Sequence, residues 1–417
     1  MTDQYAWYLG IDWGTTEHAF CLIDAQGHVR GMRAVAHTTV AIHEALSWVT
    51  ESAGVATSDV AVAIETTRGA LVETLLERAF PVFAINPKQL DRFRDRFNAS
   101  GAKDDRRDAQ VAADSLRTDS RAFRRLRIED PVVIQLRDAS RLLEELEADV
   151  HRLANRLREQ LYRVHAAWLE LSPAADDPWL WTVLADAPDP DTWAALPRRR
   201  IAAAFRAHRI RRLTVETVMA RLQSPRLGAA PGVAEAVRRR IPTLVAQLTV
   251  VHQHRLAAER HLDALLAEIT GPTNCDSESH EHRDAEILRS LPGVGRTVAA
   301  TMLAEAGDLL VARDYHTLRM YGGAAPVTKR SGKRSFMVRM RRACHRRVRQ
   351  ALFHWARTSI QHDTAARAYY DRLRARGHHH ARALRSVADR WLRILVAMLR
   401  ARSMYDASRF ASAAQHA

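Results

Sequence analysis

Apolar and polar positions alternate from residue 5 to residue 12, and the run ends in Gly-Ile-Asp-Trp-Gly. A period of two predicts a β-strand running into a turn. Residues 18–23 predict a second strand, closed by Asp24-Ala25-Gln26-Gly27 as a hairpin turn, and residues 29–36 a third. The period then lengthens to that of a helix over residues 40–53. Residues 60–64 are a short, continuous apolar run of the buried-strand type, and the strand delivers Glu65 at its C-terminal end. A helix over 69–78 and a short strand over 81–85 follow. The next strong signal is DDRRDAQVAADSLR, with Ala109, Val111, Ala112, Ala113 and Leu116 as its apolar face and no Gly or Pro inside. Three strands in hairpin succession, then helix, strand, helix, strand, helix, is the order of a ribonuclease-H-like α/β fold, and such sheets place their sites at strand ends.

Beyond residue 130 the pattern turns helical and charged. Leu143, Leu146, Val150, Leu153, Leu157, Leu161 and Val164 recur at alternating spacings of three and four, which predicts a coiled coil or a helical hairpin. Residues 244–269 form a second long helix able to pair with the first. Between them, residues 172–191 carry Pro173, Pro178, Pro188 and Pro190 and read as a linker or irregular loop. Residues 198–200 and 206–212 are basic and suited to phosphate contacts. Residues 271–283 are polar and mark a boundary. After it, Pro292-Gly293-Val294-Gly295 between two apolar helices is a helix–hairpin–helix signal, in which Gly293 and Gly295 let backbone N–H groups approach a phosphate. Residues 382–402 predict a final basic amphipathic helix in a mainly α domain, and 403–417 a frayed tail. The expected divisions are therefore 1–125, 126–280, 281–402 and 403–417.

Composition narrows the function. The chain has 417 residues and a formal charge of +15, which implies a polyanionic partner, most simply nucleic acid. Its three cysteines, Cys21, Cys275 and Cys344, lie far apart without CxxC spacing, so neither a disulfide framework nor a zinc knuckle is expected and a cytoplasmic setting fits. The N-terminus lacks the basic and apolar regions of a signal peptide, and no apolar run approaches membrane-spanning length.

The candidate chemistry is carboxylate chemistry. Asp12 ends the first strand and Glu65 the fourth, while Asp105 and Asp108, three apart, share a face of the following helix. Asp104 with Asp108, four apart, is the fallback pair. Four acids converging from separate elements repel one another unless cations lie between them, and Mg²⁺ prefers a few carboxylates plus phosphate oxygens and water. Two such ions about 3.5–4 Å apart activate a nucleophile and steady a leaving oxygen on phosphate. Ser331 lies among Lys329, Arg330, Lys333 and Arg334. That segment reads either as a solvated basic loop or as a hydroxyl whose alkoxide the cations favour. Arg346 and Arg347 continue the basic character.

Asp12, Glu65, Asp105 and Asp108, with KDDRRDA at the helix start, resemble the DEDD signature of insertion-sequence family one-hundred-ten, which also includes Piv-type DNA invertases. That resemblance implies a RuvC-like N-terminal domain and a C-terminal transposase domain in which a Gly-Pro loop is followed by Ser-Gly; here Gly322 to Pro326 is followed by Ser331-Gly332. It implies Ser331 as nucleophile, with Ser335 the weaker candidate. It also implies Mg²⁺ at the acids, donor and target DNA, a structured guide (bridge) RNA, and a homo-oligomer, dimer or tetramer, whose subunits share a composite site. Two departures stand out: Asp104 replaces the usual threonine, and Cys344-His345 replaces a Gly-Asn pair. The alternatives are a Holliday-junction-type metal endonuclease and a non-catalytic nucleic-acid-binding protein. LGIDWGTT also looks like the phosphate loop of sugar kinases, but the chain lacks the second Asp-Gly phosphate turn and the Gly-rich adenosine segment of those enzymes.

Overall fold

Alternation along the first strand dictates a layered structure, because side chains of a strand point to opposite faces in turn. The computed structural model describes residues 5–97, 104–127, 130–224, 228, 230–270, 280–331 and 334–407. The chain divides into two compact units, residues 1–129 and 130–417.

In the first unit, β1 (Trp7–Asp12), β2 (Glu17–Asp24) and β3 (Val29–Ala36) form an antiparallel meander. Helix α1 (Thr39–Ala53) leads to β4 (Val60–Ile64), and α2 (Ala70–Glu77) leads to β5 (Val82–Ala84). Helices α3 (Pro87–Phe97) and α4 (Asp105–Thr118) precede a two-residue edge strand, β6 (Arg124–Arg125). The sheet order is β3-β2-β1-β4-β5-β6, with β1, β4 and β5 parallel. Leu9, Ile11, Phe20, Leu22, Val62 and Ile64 pack on one side against α1 and α2. Tyr8, Cys21, Ile23, Ala61 and Ala63 pack on the other, against Leu90 of α3 and Ala109, Ala112 and Ala113 of α4. The sheet is thus covered on both faces, as a mixed α/β arrangement requires.

The second unit is built on two long helices, α5 (Pro131–Val164) and, later in the chain, α10 (Pro231–Thr270). Leu136 and Leu143 share a core with Leu262, Leu266 and Ile269, while Val150, Leu157 and Leu161 share another with Ile241, Leu244 and Leu248. The two helices therefore run antiparallel, and the heptad-like stripe of α5 is filled from within the chain. Between them lie α6 (Ala167–Leu171), α7 (Pro178–Asp186), α8 (Arg198–Ala207) and α9 (Val215–Leu222).

These elements correct the linker reading of residues 172–191. Pro173 and Pro188 lie in short loops, but the other two prolines begin helices. Pro178 opens α7, and Pro190 opens a short 3-10 helix, Pro190–Ala195; at a first helical position the missing N–H costs nothing. Trp168, Trp179, Trp181 and Trp193 are each no more than 2% exposed and form the centre of this small subdomain. The indoles of Trp181 and Trp193 donate to the carbonyls of Ala175 and Ala187 at 2.9 and 2.8 Å.

The remaining elements are α11 (His280–Arg289), α12 (Arg296–Val311), α13 (Tyr315–Tyr321), β7 (Pro326–Ser331), β8 (Arg334–Met340), α14 (Arg346–His362), α15 (Thr364–Ala375) and α16 (His380–Ala401). The C-terminal half of α10 shares one core with α11, α12, α14 and α16, so the boundary expected near 271–283 does not separate two cores; residues 271–279 themselves lie outside the described residues. Tyr405, in the stretch expected to fray, packs on Trp391 and donates to Asp363 at 3.0 Å. Residues 408–417 lie outside the described residues. Among the described residues, no helix is long and apolar enough to cross a membrane.

Candidate active site

Strand parity assembles the acid centre. On β1, Tyr8, Gly10 and Asp12 share the face that meets α4; on β4, Ala61 and Ala63 do, and Glu65 follows in the same register. Ile11 pairs with Ile64 across the parallel ladder, so Asp12 and Glu65 leave neighbouring strands at the same level. Helix α4 reaches them because position 10 is glycine. A Cβ there would stand 1.8 Å from the Ala109 carbonyl oxygen and 2.7 Å from the Ala113 nitrogen. With Ala109, Ala112 and Ala113 as its own small face, α4 lies nearly backbone-to-backbone on β1. Its first turn then carries Asp105 and Asp108 to the end of the strand.

Asp12, Asp105 and Asp108 each place a carboxylate oxygen within 4.8 Å of the others. Asp108 is buried, Asp12 half-buried and Asp105 exposed. Asp104, the fallback partner, is the helix N-cap: its carboxylate accepts from the Arg106 N–H at 3.2 Å, and its backbone carbonyl accepts from the Asp108 N–H. Capping absorbs Asp104, which leaves Asp105 as the acid beside Asp108.

Glu65 is placed differently. It is not part of that three-acid group; its Oε1 lies 3.9 Å from Nη2 of Arg94. Arg94 is a residue that the sequence reading passed over. It stands one turn after the buried Leu90 of α3, on the side that faces α4. Its Nε lies 2.6 Å from Oδ1 of Asp108, its Nη2 donates to Oδ2 at 2.8 Å, and its Nη1 donates to Asp91 at 2.5 Å. One guanidinium thus touches acids of three elements.

The donor set fits a hard divalent cation. Such ions take carboxylate oxygens, and at about 2.1 Å from a small ion two opposite ligands stand about 4.2 Å apart. The three carboxylate oxygens lie within 4.8 Å of one another, which is compatible with that requirement. Asp12, Asp105 and Asp108 are the residues that would hold the ion.

Ser331 belongs to the second unit. It is the last residue of β7 and pairs in register with Arg334, the first residue of β8. The basic stretch read as a loop is therefore a two-stranded antiparallel ribbon; Lys329 and Arg330 are in β7, Arg334 and Ser335 in β8, and Gly332 and Lys333 lie outside the described residues.

The base of the ribbon is tied to the helices. The Ala325 N–H donates to the Arg319 carbonyl at 3.0 Å, and the His345 N–H to the Tyr321 carbonyl at 2.7 Å. His345, which with Cys344 precedes α14 and caps it, stacks on Tyr321 and lies 3.6 Å from half-buried Glu305. Arg141 grips Glu305 with two bonds of 2.8 and 2.9 Å, and Arg347 stands 3.5 Å away. Burial alone would raise the Glu305 carboxyl, but the Arg141 hydrogen bond and the charges of Arg141, His345 and Arg347 more than offset it and hold the group below its usual range.

Two expected nucleic-acid contacts have other partners in the fold. Arg347 donates to Ser140 at 2.8 Å and pairs with Glu144 at 3.2 Å. Gly293, at φ +82°, brings its Cα against Ser359, where a Cβ would stand 2.6 Å from the backbone nitrogen. That close approach to α14 accounts for the glycine. Gly295, the N-cap of α12, faces open space, and Arg346 is exposed at the start of α14.

The acid centre and the serine ribbon are features of a chain whose two ends match known families. Residues 9–166 match a DEDD family model of the IS110 type described as Transposase, and residues 285–371 one described as Transposase IS116/IS110/IS902 family. A Sinorhizobium fredii protein, y4uE, is 47% identical over 213 residues, 51% of this chain and 59% of its own length. The mini-circle protein for IS117 of Streptomyces coelicolor is 31% identical over 415 residues, 98% of this chain and 97% of the relative. The 43.6 kDa protein of insertion element IS110 from the same organism is 31% identical over 310 residues, covering 73% and 72%. The chain belongs to the IS110 family of transposases, and transposases act on DNA. The tryptophan-centred subdomain lies outside both family models.

Proposed function

We propose that this chain is the transposase of an insertion sequence, a DNA recombinase that cuts and rejoins strands with two sets of groups. In this reading the first unit is a RuvC-like, ribonuclease-H-like domain whose Asp12, Asp105 and Asp108 would hold Mg²⁺, with Glu65 at the end of the neighbouring strand as the fourth acid of the signature. The ion, when bound, supplies charge neutralisation at the scissile phosphate. Ser331 is the nucleophile. Its Oγ attacks phosphorus, an O–P bond to the serine forms as the bond to one strand end breaks, and the departing oxygen takes up a proton. The phosphodiester energy is kept in the protein–DNA link, so the strand is rejoined without an external energy source. Lys329, Arg330, Lys333 and Arg334 provide cations around that step. The acids of one subunit and the serine of another act together in a homo-oligomer, and a structured bridge RNA pairs with donor and target DNA while the protein reads backbone and shape. The setting is the bacterial cytoplasm.

The observation that carries this reading is the convergence of Asp12, Asp105 and Asp108 at one strand end, in a chain of an insertion-sequence family. The same convergence, which involves no residue of the second unit, also supports a narrower reading, a junction nuclease that uses the acids and water alone.

One experiment separates the two readings. The protein is incubated with Mg²⁺, the element's adjoining non-coding RNA and plasmid DNA carrying the element ends, stopped with denaturant, and the linked peptide is mapped. Wild type is expected to give an adduct at Ser331. Ser331→Ala should give none while binding DNA and RNA as before, and Asp12→Asn should give none either. Undiminished cleavage by Ser331→Ala, with free ends, selects the nuclease. An adduct at Ser335 moves the nucleophile by four residues.

A further inference from the structure

The ion pair between Arg94 and Asp108 places a monovalent cation on the buried acid of the centre. Nη2 donates to Oδ2 at 2.8 Å, and Nε stands 2.6 Å from Oδ1 as a charge contact without hydrogen-bond alignment. The Asp108 side chain is 3% exposed, so its charge demands a partner: a buried carboxylate left alone is far more costly than a paired one. The charge-assisted bond from Nη2 to Oδ2 adds to the attraction between the two charges. A divalent ion held by Asp12, Asp105 and Asp108 needs the same oxygens, and it would stand within a few ångströms of the guanidinium charge, a strong repulsion in a partly desolvated site. Arg94 and the divalent ion therefore compete for Asp108.

The structure also supplies somewhere for the arginine to go. Asp91, one turn back on α3, already accepts from Nη1 at 2.5 Å, and its side chain is 60% exposed. A rotation about the side-chain bonds keeps the contact with Asp91 while Nε and Nη2 leave Asp108, so the charge of Arg94 moves toward water without being stranded. Glu65, at 3.9 Å, loses the same cation in that movement.

We propose that Arg94 is a resident counter-cation of the acid centre, seated on Asp108 until a divalent ion displaces it toward Asp91, so that metal occupancy is set by competition with this one side chain. The proposal rests on the reading of the acids as a metal site. It makes Arg94 a positioning residue for Asp108 and Glu65.

The test is Mn²⁺ binding by the EDTA-treated full chain, read by the spin-resonance signal of free Mn²⁺, with thermal unfolding as a second readout. Arg94→Met is expected to bind Mn²⁺ about tenfold or more tightly than wild type, since one charge a few ångströms away is removed. It should melt lower than wild type in EDTA and recover more of that loss on adding Mn²⁺. Equal or weaker binding by folded Arg94→Met overturns the competition. If Arg94→Met does not fold in EDTA, Arg94→Lys takes its place. It keeps a charge but loses the guanidinium and its Nη2 bond to Oδ2, so several-fold tighter binding than wild type is expected, and equal binding overturns the proposal. Failure of wild type and variants alike to bind Mn²⁺ overturns the metal-site reading as well, whereas tight wild-type binding untouched by the substitutions overturns the role of Arg94 alone.

Discussion

The acid centre and the Ser331 ribbon are built in opposite ways. The clustered acids come from distant places in the chain, the end of β1 and the first turn of α4, and packing brings them together. The ribbon is contiguous sequence. Its backbone bonds join near neighbours, Pro326 with Met340 at one end and Ser331 with Arg334 at the other. A lone two-stranded ribbon is marginally stable in water, so its order depends on the base, where Glu305, Arg141, His345 and Tyr321 meet. A centre made by distant packing should fail when the packing surface changes, even far from any carboxylate. A local ribbon should survive changes of its own residues and fail when its base is loosened.

The largest expected effect follows from Gly10. Valine there would drive its side chain into the Ala109 carbonyl, 1.8 Å from the ideal Cβ position. Neither backbone can yield without moving α4 off β1. We expect Gly10→Val to cost about 4 kcal/mol or more, at the upper end of overpacking, and to abolish divalent binding although no acid is altered. Hydrogen exchange of the β1 and β4 amides, together with Mn²⁺ binding, checks this. Retained Mn²⁺ affinity with unchanged β1 protection would show that α4 does not need the close approach, and the contrast between the two sites would lose its basis.

Sequence legibility divides along the same line. Asp12, Asp105 and Asp108 were readable because strand ends and helical spacing are local properties, and the three-residue gap alone put two of them on one face. Arg94 was not. Its partner Asp108 lies fourteen residues on, and nothing in LDRFRD distinguishes it from other surface arginines. The α5 stripe was readable as a stripe, but not who fills it, because periodicity describes one surface and is silent about the other. Pro178 and Pro190 were misread for a related reason: a proline signals a break only inside an element, and whether it opens or interrupts a helix is decided by the tryptophans packed behind it. The ribbon escaped because KRSGKRS is charged on both sides, so the alternation that betrays a half-buried strand is missing.

A smaller effect is expected at the base of the ribbon. Glu305→Gln takes from Arg141 the carboxylate that it grips, while Arg347 keeps its pair with Glu144. Breaking a fully buried pair costs about 3–5 kcal/mol, and Arg141 keeps a quarter of its side chain in water, so we expect about 2 kcal/mol. The loss should depend on pH. Glu305 is held below its usual value of 4.5 in the folded chain, so the stability it contributes is fully present above that value and disappears as pH falls through the lower folded one. The gap between wild type and Glu305→Gln, measured by urea unfolding from neutral pH downward, should therefore narrow below about pH 4.5. A gap that stays constant to acid pH would mean that the charge on Glu305 does not hold the base.

The smallest effect returns to the acid centre, at the turn that follows Asp12. The Gly14 N–H donates to Nδ1 of buried His18 at 3.2 Å, so His18 carries its proton on Nε2, which donates to Nδ1 of His37 at 2.9 Å. Burial first, and the neighbouring His37 second, hold His18 below its usual 6.5. A proton added to Nδ1 would face the Gly14 N–H and break that bond. The sign follows: the folded chain resists protonation more than the unfolded one, so this contribution is complete above about pH 6.5 and is lost as pH falls toward the lower folded value. Its scale is that of one hydrogen bond, about 1 kcal/mol. Because the turn is tied by a single bond and the acids by packing, acid should loosen Gly14 while β1 stays protected. Amide exchange at Gly14, compared with that at Leu9 and Ile11 from pH 7.5 to 5.5, is expected to accelerate beyond the intrinsic rate only at Gly14, and His18→Gln should remove the difference. Equal acceleration along β1 would mean that the histidine pair supports the whole strand end, and the acid centre would then owe part of its order to a local device after all.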